Sequence, residues 1–255
     1  MSRSISDIST PIVILYGPYN VGKTLSIVCL LRYLRNSGYN FITDISYDTA
    51  TESQRYRELC DIFGDFVHHH DNIPLIKNGM LHKVIDTVGR PICQIIDEQG
   101  GIYFNHSLHI DTHPIVKYIN SCPNRKIWII YLEPDWESDI IRSKYIEQIA
   151  LLKSQASRND RFIIVLNKID YTNFMISYDK VNMSAVKRMI DLQYNGLLRL
   201  FSEPNPLLSI IRPYRCEILP YFSGYFTKSI NGREIWNIGP DSYPGQLWHT
   251  IRKSI

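Results

Sequence analysis

The stretch Gly17-Pro18-Tyr19-Asn20-Val21-Gly22-Lys23-Thr24 has the residue types and spacing of a loop that wraps phosphate. Glycines let successive backbone N–H groups turn onto phosphate oxygens, and a helix starting here adds the partial positive charge of its N-terminus. Lys23 is the group expected to reach the β- and γ-phosphates and to assist catalysis, and Thr24 offers a hydroxyl to Mg²⁺. Tyr19, Asn20, Val21, Gly22 and Leu25 complete the expected nucleotide-binding stretch. With no phosphate in the loop, Lys23 is expected to lie exposed to solvent.

Two further clusters follow apolar runs. Asp97-Glu98-Gln99-Gly100 admits two readings. In the first, Asp97 holds Mg²⁺ through water and the Gly100 N–H senses a γ-phosphate. In the second, Asp97 holds Mg²⁺ and Glu98 is the base of an ATPase. Asn167-Lys168-Ile169-Asp170 ends the run Arg161 to Leu166. The Asp170 carboxylate can accept from the N1–H and exocyclic amine of guanine together, a pair that adenine does not offer.

Each cluster needs an element to hold it. Ile12 to Tyr16, Ile127 to Leu132 and Phe162 to Leu166 are apolar on both faces, the signature of strands buried between helices in a parallel sheet. Helices are expected over Gly22 to Arg35, Ser138 to Lys153, Met183 to Phe201 and Asp241 to Ile255. Leu81 to Asp86 and Ile92 to Asp97 read as antiparallel neighbours, and Asn231-Gly232 centres a hairpin from Tyr225 to Ile238. The predicted fold is a three-layer α/β P-loop NTPase with a mostly parallel sheet and one antiparallel strand. It forms a single extended domain over 1–255, with an insertion near 39–80 and a C-terminal hairpin and helix near 225–255.

Composition narrows the class. Hydrophobic residues at 44% and charged residues at 21% are those of a globular chain, which excludes disorder. A net charge of +3 gives no basic excess for nucleic acid. Five scattered cysteines without a CxxC pair read as small buried hydrophobes in a reducing compartment. Neither a leader nor a transmembrane segment is apparent, and a cytoplasmic protein is expected. His68-His69-His70-Asp71 reads as a solvated loop, since three consecutive side chains diverge.

The order GPYNVGKT, DEQG, NKID resembles the translation-factor-related (TRAFAC) class of P-loop GTPases, which includes the Ras-like small GTPases. The resemblance implies GTP and GDP binding, Mg²⁺, a nucleotide-switched conformation and a protein effector or activating partner. It places Asn167, Lys168 and Asp170 on the base, with Ser223 and Gly224 in a guanine-facing loop after the strand Cys216 to Tyr221. Asn20 matches the position at which potassium-activated members of the class carry Asn, making K⁺ a candidate second cation. The chain also departs from the pattern. The stretch His68 to Met80 lacks threonine, so a Mg²⁺-binding threonine is absent or moved to Thr43, Thr49 or Thr51. Gly101 stands where the class often has a catalytic Gln, and Gln99, the remaining candidate for orienting water, lies two positions early. The leading expectation is a GTP-binding switch with slow or partner-dependent hydrolysis. The alternatives are an ATPase using Glu98 and a non-hydrolysing nucleotide-bound scaffold.

Overall fold

A computed structural model of the chain describes residues 5–47, 57–58, 60–61, 63–64, 79–98, 114–135, 138–228 and 234–255. The apolar runs form the centre of a seven-stranded sheet in the order β2-β3-β4-β1-β5-β6-β9. These strands are β1 (Ile12–Tyr16), β2 (Asn40–Thr43), β3 (Met80–Ile85), β4 (Pro91–Asp97), β5 (Lys126–Leu132), β6 (Arg161–Leu166) and β9 (Cys216–Pro220). Every residue of β1 and β5 is buried, as strands covered on both faces must be. β3 runs antiparallel to both β2 and β4, while β4, β1, β5, β6 and β9 are parallel, so the sheet has the one antiparallel strand that the sequence predicts.

Helices cover both faces. α1 (Lys23–Asn36) follows β1 and packs against α7 (Ser242–Ser254) on one side. On the other side lie α2 (Pro114–Ser121), α3 (Asp139–Gln155), α4 (Met183–Gln193) and the short α5 (Leu197–Leu200), placed there by right-handed crossovers. The chain then passes through α6 (Pro206–Ile211) to β9. Two small antiparallel pairs stand apart: β7 (Met175–Ser177) with β8 (Lys180–Val181), and β10 (Gly224–Lys228) with β11 (Glu234–Ile238). Residues 229–233, including Asn231-Gly232, lie outside the described residues, as do most of 48–78, including His68 to Asp71.

One expectation is corrected. The helix expected over Met183 to Phe201 is two helices, α4 and α5. Tyr194 closes the first, and Gly196 turns the chain with φ 86°, a left-handed conformation open to glycine. Apolar periodicity runs across the break because Tyr194, Leu197 and Leu198 are all buried on the same core.

Parallel register sets the carboxyl ends of β1, β5, β6 and β9 on one rim. Tyr16 aligns with Ile130, Leu132 with Leu166, and Leu166 with Pro220. β4 reaches the same rim at Asp97. In open α/β sheets this is where ligands sit.

Candidate functional site

The loop Gly17 to Gly22 leaves the end of β1 and enters α1 through two left-handed residues, Asn20 at φ 61° and Gly22 at φ 91°. Asn is among the few side-chain residues that tolerate this region, so conformation alone accounts for its type at position 20. Gly22 is required on two counts. Its φ is unfavourable for a Cβ, and a Cβ there would stand 2.2 Å from the side-chain amide of Asn167.

Lys23 does not lie exposed, contrary to the sequence expectation; it is 6% exposed. Its ammonium donates to the carbonyls of Gly17 and Pro18 at 2.9 and 2.7 Å. The loop's own carbonyls thus receive the charge and hold the side chain across the cradle. Burial pushes the Lys23 ammonium down to about 8, with Asp97 and Glu133 pulling the other way. Tyr19 is exposed on the loop's outer side, and Val21 is buried beneath it.

Asp97 is buried at the end of β4 and accepts from the Thr24 hydroxyl at 3.0 Å. Burial lifts its carboxyl to about 6, against the pull of Lys23 and of the Thr24 hydrogen bond. Thr24 and Asp97 therefore bring two hard oxygen donors together from α1 and β4, a donor set that suits Mg²⁺. Glu98, the next residue, accepts from the Tyr47 hydroxyl at 2.9 Å. A Cβ on Gly79 would overlap its carboxylate at 2.1 Å, so Gly79 leaves the space in which Glu98 lies. Gln99, Gly100 and Gly101 lie outside the described residues, as do Thr49 and Thr51. Thr43 sits in β2 with its hydroxyl hydrogen-bonded to Nδ1 of the buried His82 at 3.0 Å. That geometry commits it to the sheet.

Asn167 is the hinge of the arrangement. It is buried, and its side-chain amide donates to the Val21 carbonyl at 2.7 Å, while its backbone N–H donates to Leu132. The turn after β6 is thereby fastened to the loop Gly17 to Gly22 after β1, across the end of β5. Lys168 adopts φ 55° and its ammonium pairs with the Glu133 carboxylate. Glu133 is fixed in turn by the Tyr194 hydroxyl, which accepts from its backbone N–H at 3.0 Å. Asp170 follows in a single 3₁₀ turn, half-buried, with its carboxyl raised by burial and lowered in part by its own backbone N–H and by Lys168. The Ile169 N–H donates to the Tyr221 carbonyl at 3.3 Å, joining this turn to the segment after β9. There Ser223 is buried, and its carbonyl accepts from the Trp236 indole at 3.1 Å and the Cys29 thiol at 3.5 Å. Gly224 has φ 117°, and a Cβ there would strike the Asn237 carbonyl.

The described candidate residues thus gather on one rim: Tyr19 to Leu25 on the loop and first turn, Asp97 at the end of β4, Asn167, Lys168 and Asp170 after β6, and Ser223 and Gly224 after β9. Sequence reasoning missed Glu133 and Tyr194, which brace Lys168, and Tyr47, which holds Glu98. Glu133 stands directly after the apolar run that ends at Leu132, the position that an acid facing this rim occupies. No comparable signal marks Tyr47 or Tyr194.

No protein-family profile and no curated protein matches the chain. Solved structures do. A nucleolar GTP-binding protein 1 of Plasmodium falciparum is 15% identical, with 87% of this chain and 80% of that one covered and a TM-score of 0.43. A bacterial selenocysteine-specific elongation factor, EF-Sec, is 14% identical over 96% of this chain and 28% of its own length, at a TM-score of 0.43. The GTPase-like domain of Ski7 from S. cerevisiae, bound to GTP, is 17% identical over 96% of this chain and 50% of that one, at a TM-score of 0.44. The chain is similar to these structures in outline, and what its rim can do rests on its own residues.

Proposed function

We propose that this chain binds GTP and GDP at the rim of β1, β4 and β6 and acts as a nucleotide-controlled switch with slow or partner-dependent hydrolysis. One observation carries the reading: the Asn167 side chain joins the phosphate loop to the turn bearing Asp170, so a phosphate cradle and a guanine acceptor form one connected unit. In this reading the backbone N–H groups of residues 20–25 and the Lys23 ammonium bind the phosphates, leaving the Gly17 and Pro18 carbonyls for the triphosphate. Thr24 and Asp97 would hold Mg²⁺, which neutralises charge on the phosphate oxygens when bound. Asp170 would read the base, with Lys168 braced by Glu133 beneath it and Ser223-Gly224 at its side.

Slow hydrolysis is supported by what the chain offers near the phosphates. Glu98, the base of the ATPase alternative, is engaged by Tyr47 on the β3 side. Gly101 has no side chain with which to orient water, which leaves Gln99, a bound K⁺ beside Asn20 or a partner's residue to speed the reaction. Lys23→Ala tests the phosphate assignment: fluorescent GTP analogue binding should fall by at least about 100-fold, with the circular dichroism spectrum unchanged. Unaltered binding would remove the phosphate loop from the account.

A further inference from the structure

α6 is a well-formed helix that buries none of its side chains. Asn205 caps it, its side-chain oxygen accepting from the N–H groups of Leu207 and Leu208, and Pro206 fills the first turn. Yet Leu207, Leu208, Ile210 and Ile211 are 77, 52, 81 and 86% exposed. Single exposed aliphatics are ordinary, but four on one turn and a half of helix form a patch that folding does not require.

The flanking chain holds this helix outward. The Arg215 N–H donates to Phe201 O at 2.6 Å and the Glu203 N–H to Pro213 O at 3.0 Å, and Ser202 and Tyr214 form an antiparallel bridge. The Arg215 guanidinium grips the Glu203 carboxylate with two hydrogen bonds of 2.9 and 3.0 Å. Residues 203–215 are therefore a loop stapled at its neck, with α6 as the tip. The neck is anchored in the core through Phe201, which packs on Phe162 and lies under the Lys153 ammonium.

Cations surround the neck. Lys153, Lys187 and Arg212 all act on the Cys216 thiol at the root of β9, and Arg199 and Arg215 flank the loop where it leaves and returns. Glu217 opposes them there, and Glu203 and Glu217 pair with Arg215 and Arg212, so the excess positive charge is that of Lys153, Lys187 and Arg199. A protein interface concentrates its energy in aromatic and arginine anchors that fill pockets. This tip exposes four aliphatic side chains and no aromatic or arginine anchor of its own, beside an excess of positive charge, the combination that suits a lipid surface. We propose that α6 docks the protein onto an anionic lipid bilayer. The four aliphatic side chains enter the boundary between headgroups and acyl chains, and the basic collar meets acidic headgroups. The tip stands at the amino end of β9, whereas the phosphate loop leaves the carboxyl end of β1, so docking leaves the nucleotide rim open and does not depend on the function proposed for it.

The test is sedimentation of the full chain with vesicles of phosphatidylcholine alone and with about one-third phosphatidylserine. Acidic vesicles should bind at least about tenfold more protein, with the excess removed by high salt. The triple variant Leu207→Ser, Ile210→Ser, Ile211→Ser should lose that binding, and Lys187→Glu with Arg199→Glu should weaken it, with circular dichroism unchanged in both. Equal sedimentation with both vesicle types, or acidic-vesicle binding unaltered in the triple variant, overturns the proposal. So does a concentration-dependent dimer that the triple variant abolishes, since a second copy would then be the occupant.

Discussion

The contact between Gly22 and Asn167 can be tested as a coupled pair. Asn167→Ala removes the donor to the buried Val21 carbonyl. An orphaned buried acceptor costs about 1–3 kcal/mol. Gly22→Ala forces a Cβ into the left-handed region, at about 1–2 kcal/mol. That Cβ also occupies the position of the Asn167 amide, 2.2 Å away, so the amide must move and the Val21 bond is lost as well. The single Gly22→Ala variant should therefore lose about 2–5 kcal/mol, both costs together. In the double variant the bond is already gone and the clash is relieved. Its total should match that of Gly22→Ala alone, leaving a coupling of about 1–3 kcal/mol. Urea unfolding of the four proteins measures the cycle, and binding of a fluorescent GTP analogue reads the same coupling at the loop. Strictly additive losses would show that the two motifs are independent, and the argument for one connected site would fail.

Acid should act through His82. It is wholly buried, stacked on Phe63, and burial pushes its imidazole down to about 3 from 6.5, so the folded protein keeps it neutral. The unfolded chain then binds the extra proton first, and stability falls as pH drops from about 6.5 toward 3, by about 3 kcal/mol at pH 4. His82→Gln should flatten this slope in urea titrations from pH 7 to 4, and an unchanged slope would rule out His82 as its source. GTP turnover compared in K⁺ and Na⁺ at matched ionic strength tests the cation beside Asn20. If Asn20 does more than fit the left-handed turn, turnover is faster in K⁺ and the gain is lost in Asn20→Ala; equal rates would leave Asn20 a conformational choice and hydrolysis to Gln99 or to a partner.

The parts of this molecule legible in the sequence are those fixed by local chemistry. Ile12 to Tyr16 and Ile127 to Leu132 announce central parallel strands because both of their faces are buried, and the loop Gly17 to Gly22 announces itself because Asn20 and Gly22 are types that accept the left-handed turns leading into α1. The break at Gly196 was not legible, since burial of Tyr194, Leu197 and Leu198 keeps the apolar rhythm across it. The burial of Lys23 was missed because the carbonyls that receive it belong to its own loop, a matter of three-dimensional curvature. The Asn167 bond to Val21, the pairing of Lys168 with Glu133 and the grip of Tyr47 on Glu98 join residues far apart in the chain. Only folding brings these together, and spacing along a single sequence carries no trace of them. That the four aliphatic residues of α6 face away from the core is likewise visible only in the structure, through the closed neck that holds the helix outward.

The central claim is that one rim holds phosphates and reads guanine. Its most direct test is competition among GTP, ATP and xanthosine triphosphate for the wild type and Asp170→Asn. The account predicts that wild type prefers GTP to ATP by at least about 100-fold, since adenine leaves the Asp170 carboxylate unpaired. In Asp170→Asn the preference should pass from GTP to xanthosine triphosphate, whose extra carbonyl accepts from the new amide. Equal displacement by ATP and GTP in the wild type would contradict the guanine reading and return Glu98 and ATP to first place.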